Sequence, residues 1–341
     1  MSVSWRAWAV GLAALATALI AGLALGPVRL APGSVALELL NLLPGVHVHS
    51  GLSTREAAIV TELRLPRVVL GLLVGATLAV CGGCYQGVFR NPLADPYLLG
   101  VAAGAGLGAT AAIALHRGGG GTPAAVPPAA FAGALGAVGL TYALGAAGTR
   151  YRTPATLILA GVAVTSFLTA GQTYLQQRSS DTIREVYSWL LGRLATAGWH
   201  DVLLLIPYAA VSTAVIIASG RQLDVLAVGD DEAASLGAHP QRTRYLLIVA
   251  ASLGTAAAVA VSGLIAFVGI IVPHTVRLLA GYSYRVVLPL STVFGAAFLA
   301  LADLAARLAL APAEIPIGVV TAFFGAPFFI VVLRTSRRMA P

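Results

Sequence analysis

The sequence contains no lysine: all 21 basic side chains are arginine. That absence removes whole classes of chemistry. A Walker A loop places a lysine on the nucleotide phosphates, and Schiff-base catalysis starts from a lysine amine. The chain can perform neither. Charge of either sign is scarce too. Charged residues make up 10% and hydrophobic ones 58% of the 341 residues, and the mean hydropathy is +0.88. Soluble domains carry about 25% charged residues. So few charges cannot cover a water-facing surface, and a lipid bilayer is the solvent that fits. The net charge of +8 does not point to nucleic acid, because the arginines are scattered at loop ends instead of forming a basic face.

Cysteine is confined to Cys81 and Cys84. A C-x-x-C can be a redox or metal motif. This pair lies in an apolar run beside Gly82 and Gly83, with no second pair and no histidine nearby, and it reads as small packing residues. No Ser/His/Asp set, carboxylate pair or metal spacing stands out. Neither enzyme chemistry, nor a metal site, nor a cofactor within the chain is expected. His47 and His49 share the first loop, but two loop histidines alone do not make a haem site.

What the sequence does hold is long apolar runs, at 7–26, 63–89, 95–115, 124–147, 154–176, 200–219, 243–281, 286–310 and 316–334. The first follows Arg6. Its length exceeds a signal core of about 7–15 residues and matches a span, so it is expected to be an uncleaved first helix. The run 243–281 is about 39 residues long. As one helix it would reach ~58 Å, roughly twice a ~30 Å hydrocarbon core. It is expected to fold back at Ser262-Gly263. The fold class is therefore an all-α integral membrane protein, a single domain over 1–341, with about ten transmembrane helices and both termini on one side. Arginine placement mildly favours the cytoplasm for that side. Arg90, Arg150, Arg152, Arg221–Arg244, Arg285, Arg334, Arg337 and Arg338 would then be inside, while Arg55, Arg64, Arg67, Arg117, Arg178, Arg184, Arg193 and Arg307 would be outside.

Small residues recur at helical spacing: Gly71/Gly75, Gly100/Gly104/Gly108 and Gly133/Gly136. Such stripes let helix backbones approach in lipid. Gly104-Ala-Gly106-Leu-Gly108 follows no strand, so packing explains it better than dinucleotide binding does. Gly118–Gly121 read as a loop. Two segments are not spans. Residues 181–197 are amphipathic and suit an interfacial helix on the outer, periplasmic side. Residues 224–239 are acidic and Ala-rich, bounded by Gly220 and Pro240, and suit a short cytoplasmic helix or two. Ala233, Ala234, Leu236 and Gly237 would form a small apolar face for a partner groove.

Eight stretches stand out in order: RLPRVVLGLLVGATLAVCGG (64–83), FRNPLADPYLLGVAAGAGLGA (89–109), LILAGVAV (157–164), SWLLGRLA (188–195), SLGAHPQRTRYLL (235–247), SGLIAFVGIIVPHTVRLL (262–279), LADLAARL (301–308) and AEIPIGVVTAFFGAPFFI (313–330). Each is weak alone; in this order they are specific, and the chain resembles the permease subunits of bacterial ATP-binding-cassette (ABC) importers for iron chelates (haem and siderophores) and cobalamin. The resemblance implies a type II importer architecture, a homodimer in the inner membrane, two cytoplasmic ATPase subunits that hold the ATP and Mg, and a periplasmic or lipid-anchored binding protein.

It also implies roles. Arg64, Arg67 and Arg307 match positions that receive carboxylates of the binding protein, a task guanidinium suits; interfacial snorkelling is the plain alternative. Asp230, Asp231, Glu232, Ala233, Ala234, Leu236 and Gly237 match the coupling helices that seat on the ATPase. Asn91, Pro92 and Leu93, in the turn Asn91–Pro96, match an inner gate or are a rigid turn, and Thr153-Pro154 falls at another gate-like position. Asp303 is expected to pair with Arg307 one turn on; proton coupling is the sharper alternative. Pro273-His274 reads as a kink with a satisfied histidine. A stand-alone ion-coupled transporter is the competing function.

Overall fold

The computed structural model describes residues 5–117, 122–146 and 154–337. The described residues form helices and turns and no β-strand. In chain order the helices are α1 (Trp5–Ala24), α2 (Pro32–Leu40), α3 (Thr54–Ala58), α4 (Leu65–Val88), α5 (Val101–Arg117), α6 (Val126–Ala146), α7 (Pro154–Arg178), α8 (Ile183–Leu190) and α9 (Trp199–Ala218). They continue with α10 (Gly220–Leu226), α11 (Asp230–Ser235), α12 (Pro240–Ser262), α13 (Val268–Ala280), α14 (Tyr284–Leu308) and α15 (Ile317–Arg337). A wide π turn over Ile59–Arg64 fuses α3 to α4.

Seven helical segments are long and apolar enough to cross a bilayer: α1, the fused Thr54–Val88, α6, α7, α9, α12 and α14. α5, α13 and α15 are apolar but shorter. The flank helices leave large apolar groups uncovered, with Leu159 and Phe167 of α7, Leu203 of α9 and Phe323 of α15 each more than 60% exposed. Lipid accepts that surface; water would not.

The centre is α4, buried along most of its length against α9, α12, α13 and α14. Glycine makes the close approach possible. A Cβ on Gly75 would sit 2.2 Å from the Gly295 carbonyl oxygen, and one on Gly104 would sit 2.2 Å from that of Gly133. The stripes read from the sequence thus mark backbone contact at Gly75, Gly104, Gly108 and Gly133, whereas Gly136 faces open space. Cys81 and Cys84 are free and fully buried on α4.

Several boundaries differ from the sequence reading. The run 63–89 begins its helix earlier, at Thr54, because Ser53 and Glu56 form a reciprocal capping box. The run 95–115 is helical only from Val101; residues 95–100 are turns, since Pro96 disfavours helix at Asp95. The run 243–281 does break after Ser262, where Gly263 takes φ 71°. Helix resumes only at Val268, after Phe267 at φ 69°, leaving 263–267 non-helical. Segment 181–197 holds one eight-residue helix, α8, followed by the turn at Gly192. The segment 224–239 holds the end of α10, which starts at Gly220, and the whole of α11.

Candidate functional site

The first feature is a knob built from α10 and α11. Asp224 fastens α10 to the start of α14: its carboxylate accepts from the Tyr284 N–H at 2.6 Å and the Ser283 hydroxyl at 2.7 Å. α11 ends in a tight reversal, with Ala238 N–H on the Ala233 carbonyl and Gly237 at φ 80°, the left-handed cap that glycine favours. Asp231, Glu232, Ala234, Leu236 and Gly237 are exposed; a Cβ on Gly237 would touch nothing. Leu236 is 70% exposed. Ala233 differs from its expected place on this face. It is fully buried within the chain, because its side of α11 packs into the apolar cluster that holds Leu223, Leu226 and Leu247.

Asp230 also faces inward. It receives Arg244 through two bonds, from Nη2 at 3.0 Å and Nη1 at 3.2 Å. Arg244 is buried and reaches the Val88 carbonyl at the end of α4. Arg90 Nη2 lies 3.4 Å from the same carboxylate. The hydrogen bonds from Arg244 hold the Asp230 carboxyl below its usual range.

The second feature is the pair of non-helical connections, 89–100 and 263–267. Backbone polar groups released from helix need partners in a low-dielectric interior. Side chains supply them. The Tyr97 hydroxyl donates to the Ile265 carbonyl at 2.9 Å and accepts from the Ile265 N–H at 3.1 Å. Gln86 donates to the Gly269 carbonyl at 2.9 Å and accepts from Arg277 at 2.5 Å. The Arg277 guanidinium also lies 5.6 Å from the Tyr284 ring centroid. Asn91 and Pro92 are exposed and Leu93 half-buried. The Asn91 side chain accepts from the Leu93 N–H. Thr153 lies outside the described residues, and Pro154 opens α7.

The third feature is a charged mouth at the opposite end of α4, whose 24 residues span ~36 Å. Asp303 is its centre. Arg67 Nη2 approaches it at 2.9 Å and Arg307 Nε at 3.1 Å. The expected i, i+4 pair with Arg307 is present, and Arg67 joins it. Arg67 also forks onto Glu314 at 2.9 and 3.0 Å. Arg64 is buried and donates to the carbonyls of Leu23, Ala24 and Val28. Arg307 is buried and donates to the Gly22 carbonyl. The arginines read from sequence as rim groups are thus committed within the chain, and Arg67 alone reaches surface, through Glu314. A cavity of about 190 Å³ opens beside Arg67, Asp303, Glu314 and Arg193.

Sequence reasoning missed Arg90, Arg244, Tyr97 and Glu314 as partners. Their signals are present but separated: Asp230 and Arg244 stand 14 positions apart, and Arg67 and Asp303 stand 236 apart. His47 and His49 are exposed. His274 stacks edge-on against Phe328. Among the described residues no group of three or more His, Cys, Asp or Glu is placed to hold a metal.

Residues 14–335 match the model of the FecCD transport family. The chain is 44% identical over 302 residues to the cobalamin import system permease protein BtuC of Halobacterium salinarum, covering 89% of this chain and 80% of that one. It is 36% identical over 311 residues to the Fe(3+)-citrate import system permease protein YfmD of Bacillus subtilis, covering 91% of each. A metal-chelate type ABC transporter in an inward-facing conformation superposes with a TM-score of 0.81 at 28% identity, covering 96% of this chain and 98% of the other. Apolar spans, buried glycine contacts and sequence agree: the chain is a multi-pass membrane permease belonging to the FecCD transport family.

Proposed function

We propose that this chain forms the membrane path of an ATP-driven importer for a large metal chelate, whether cobalamin, haem or a ferric siderophore. Two copies would form the path, with ATP hydrolysis on two separate cytoplasmic subunits and delivery by a periplasmic or lipid-anchored binding protein. The chain would thread the bilayer about ten times, the shorter α5, α13 and α15 included, with both termini and the α10–α11 knob in the cytoplasm and α8 on the outer side.

The observation that carries this reading is the knob. Leu236 and Gly237 project from the end of α11, which is anchored on its other side by Ala233 and Asp230, while Asp224 fastens the adjoining α10. An exposed apolar tip on a rigid mount fits a groove on another protein. Asp231, Glu232, Ala234, Leu236 and Gly237 would meet the ATPase, while Asp230 and Ala233 would hold the mount. Asn91, Pro92 and Leu93 would serve the inner gate, with Thr153 and Pro154 contributing from the neighbouring connection. Arg67, steadied by Arg64 and Arg307, would receive the binding protein. ATP would act by shifting the balance of inner-open and outer-open states.

The competing secondary transporter needs an ion-coupling acid. Asp303, the candidate from sequence, is clamped between Arg67 and Arg307, and no observation favours that reading. Reconstituting the chain in vesicles with the ATPase and binding protein tests the proposal. Uptake of cyanocobalamin or ferric citrate that requires ATP and the ATPase subunit is the expected result. Uptake without either, driven by an ion gradient, would overturn it.

A further inference from the structure

The C-terminal end of α4 carries a backbone oddity. Arg90 adopts φ 51°, the left-handed region where a side chain costs energy and glycine is favoured. The geometry there is a helix-ending reversal: the Asn91 N–H reaches the Gln86 carbonyl at 3.1 Å and the Arg90 N–H reaches that of Gly87 at 3.2 Å. Arg90 therefore occupies the position that glycine takes in most such caps. Backbone strain of this kind clusters at functional and switch sites.

That side chain ends on Asp230. The carboxylate has two unequal partners. Arg244 is buried and grips both oxygens, and its Nε reaches the Val88 carbonyl only at a long 3.4 Å. Arg90 is 39% exposed, makes a single contact at 3.4 Å, and is not aligned as a hydrogen bond. A bidentate charge pair holds geometry, whereas a solvent-exposed single contact is weak. One leg is fixed and the other releasable.

We infer that Asp230 and Arg90 form a make-and-break tie that transmits movement of the α11 knob to the 91–100 connection. Asp230 is the first residue of α11, and Arg90 immediately precedes the turn at Asn91. When α11 shifts, the Arg244 leg carries the start of α12 with it, while the end of α4 is joined to the knob chiefly through Arg90. The Arg90 leg either follows, swinging the connection, or lets go. Arg90 is a positioning residue in this scheme: it contacts neither the cargo nor the ATPase. The inference rests on the proposed seating of the knob on the ATPase.

The test uses Arg90→Gly in the complete importer, because glycine relaxes the backbone and removes only the side chain. A purely structural role predicts an unchanged or higher thermal midpoint and normal transport. The tie predicts an unchanged or higher midpoint, retained ATPase subunits on co-purification, basal ATP hydrolysis within twofold of the parent, and at least a tenfold fall in cyanocobalamin or ferric citrate imported per ATP. Arg90→Lys, which keeps the charge, is expected to recover part of that loss. A spin label at Leu93 should also stop moving relative to one at Leu246 on addition of a non-hydrolysable ATP analogue. Import per ATP within twofold of the parent, or a Leu93 label that still moves, would overturn the inference. Leu236→Arg, on a side chain 70% exposed, separates the underlying reading. If it releases the ATPase subunits while Arg90→Gly transports normally, the tie alone fails. If it leaves them bound and transport intact, the knob reading fails and the tie with it.

Discussion

The hydroxyl of Tyr97 closes on a single residue, Ile265, donating to its carbonyl at 2.9 Å and accepting from its N–H at 3.1 Å. One phenol thereby satisfies both backbone groups of a residue in the break between α12 and α13, and joins that break to the one before α5. Tyr97→Phe keeps the ring and strands both groups. An unpartnered buried polar group costs about 1–3 kcal/mol. The variant should show a clearly lower thermal midpoint by fluorescence-detected size exclusion in detergent. Tyr282→Phe, on a ring 75% exposed, should not. Equal midpoints would remove the role assigned to Tyr97.

The Asp303 carboxylate balances two guanidinium groups, Arg67 and Arg307, in a buried setting. Removing one partner of a buried ion pair leaves an uncompensated charge and costs about 3–5 kcal/mol. Asp303→Ala is therefore expected to express poorly or melt early. Import that persists in any folded Asp303→Asn protein would agree with a structural acid; a proton carrier at this position would lose transport while keeping its fold.

Glycine contacts give a sharper packing test. A Cβ on Gly82 would lie 2.1 Å from the carbonyl oxygen of Gly269. Backbone on a neighbouring helix cannot yield as a side-chain tip can, so Gly82→Ala should reach or exceed the ~3 kcal/mol upper end usual for overpacking. Gly139→Ala meets nothing within 4 Å and should be neutral. Yields and midpoints of the two variants decide it.

Acid titration should reveal the Asp230 pair. Its carboxyl is held below the ordinary value by Arg244. A depressed carboxyl contributes stability above its unfolded value of about 4, and loses it as pH falls through the folded value. The midpoint difference between the parent and Asp230→Asn should be constant from pH 8 to pH 6. It should shrink only as the pH falls below the unfolded value of about 4. A difference that disappears near pH 6 would contradict the pair.

Much of this is legible in the sequence alone. Apolar run lengths give a membrane chain, the lack of lysine leaves no residue for a Walker A lysine, and the excessive length of 243–281 calls for a break that Ser262-Gly263 places. The i, i+4 spacing gives Asp303 with Arg307. What escapes is long-range. Nothing in local periodicity joins Arg67 to Asp303 or Tyr97 to Ile265, because those contacts depend on helix order around α4. Spacing alone sets Ala233 and Leu236, three residues apart, near one helical face. Their separation into a buried and an exposed residue comes from the end of α11 at Ser235 and from the neighbours Leu223, Leu226 and Leu247. The rim arginines depart from expectation for the same reason: the carbonyls at the end of α1 that take up Arg64 lie more than thirty residues away in sequence.

The Arg67 fork on Glu314 bears on the proposed docking of a binding protein. Glu314 is 35% exposed, whereas Arg67 is 12% exposed by side chain. A carboxylate arriving from a partner would compete with Glu314 for the same guanidinium, while Asp303 continues to hold the other edge. Glu314→Gln removes the internal competitor's charge. A half-exposed pair contributes at most about 1 kcal/mol, so affinity for the binding protein should rise by roughly fivefold or less. Arg67→Gln should weaken it, and the salt dependence of association should flatten, because rim charges act mainly on the encounter rate. Surface plasmon resonance on the nanodisc-embedded importer at two salt concentrations measures both. If Glu314→Gln weakens docking instead, Glu314 is itself a contact for the partner, and Arg67 is an internal brace.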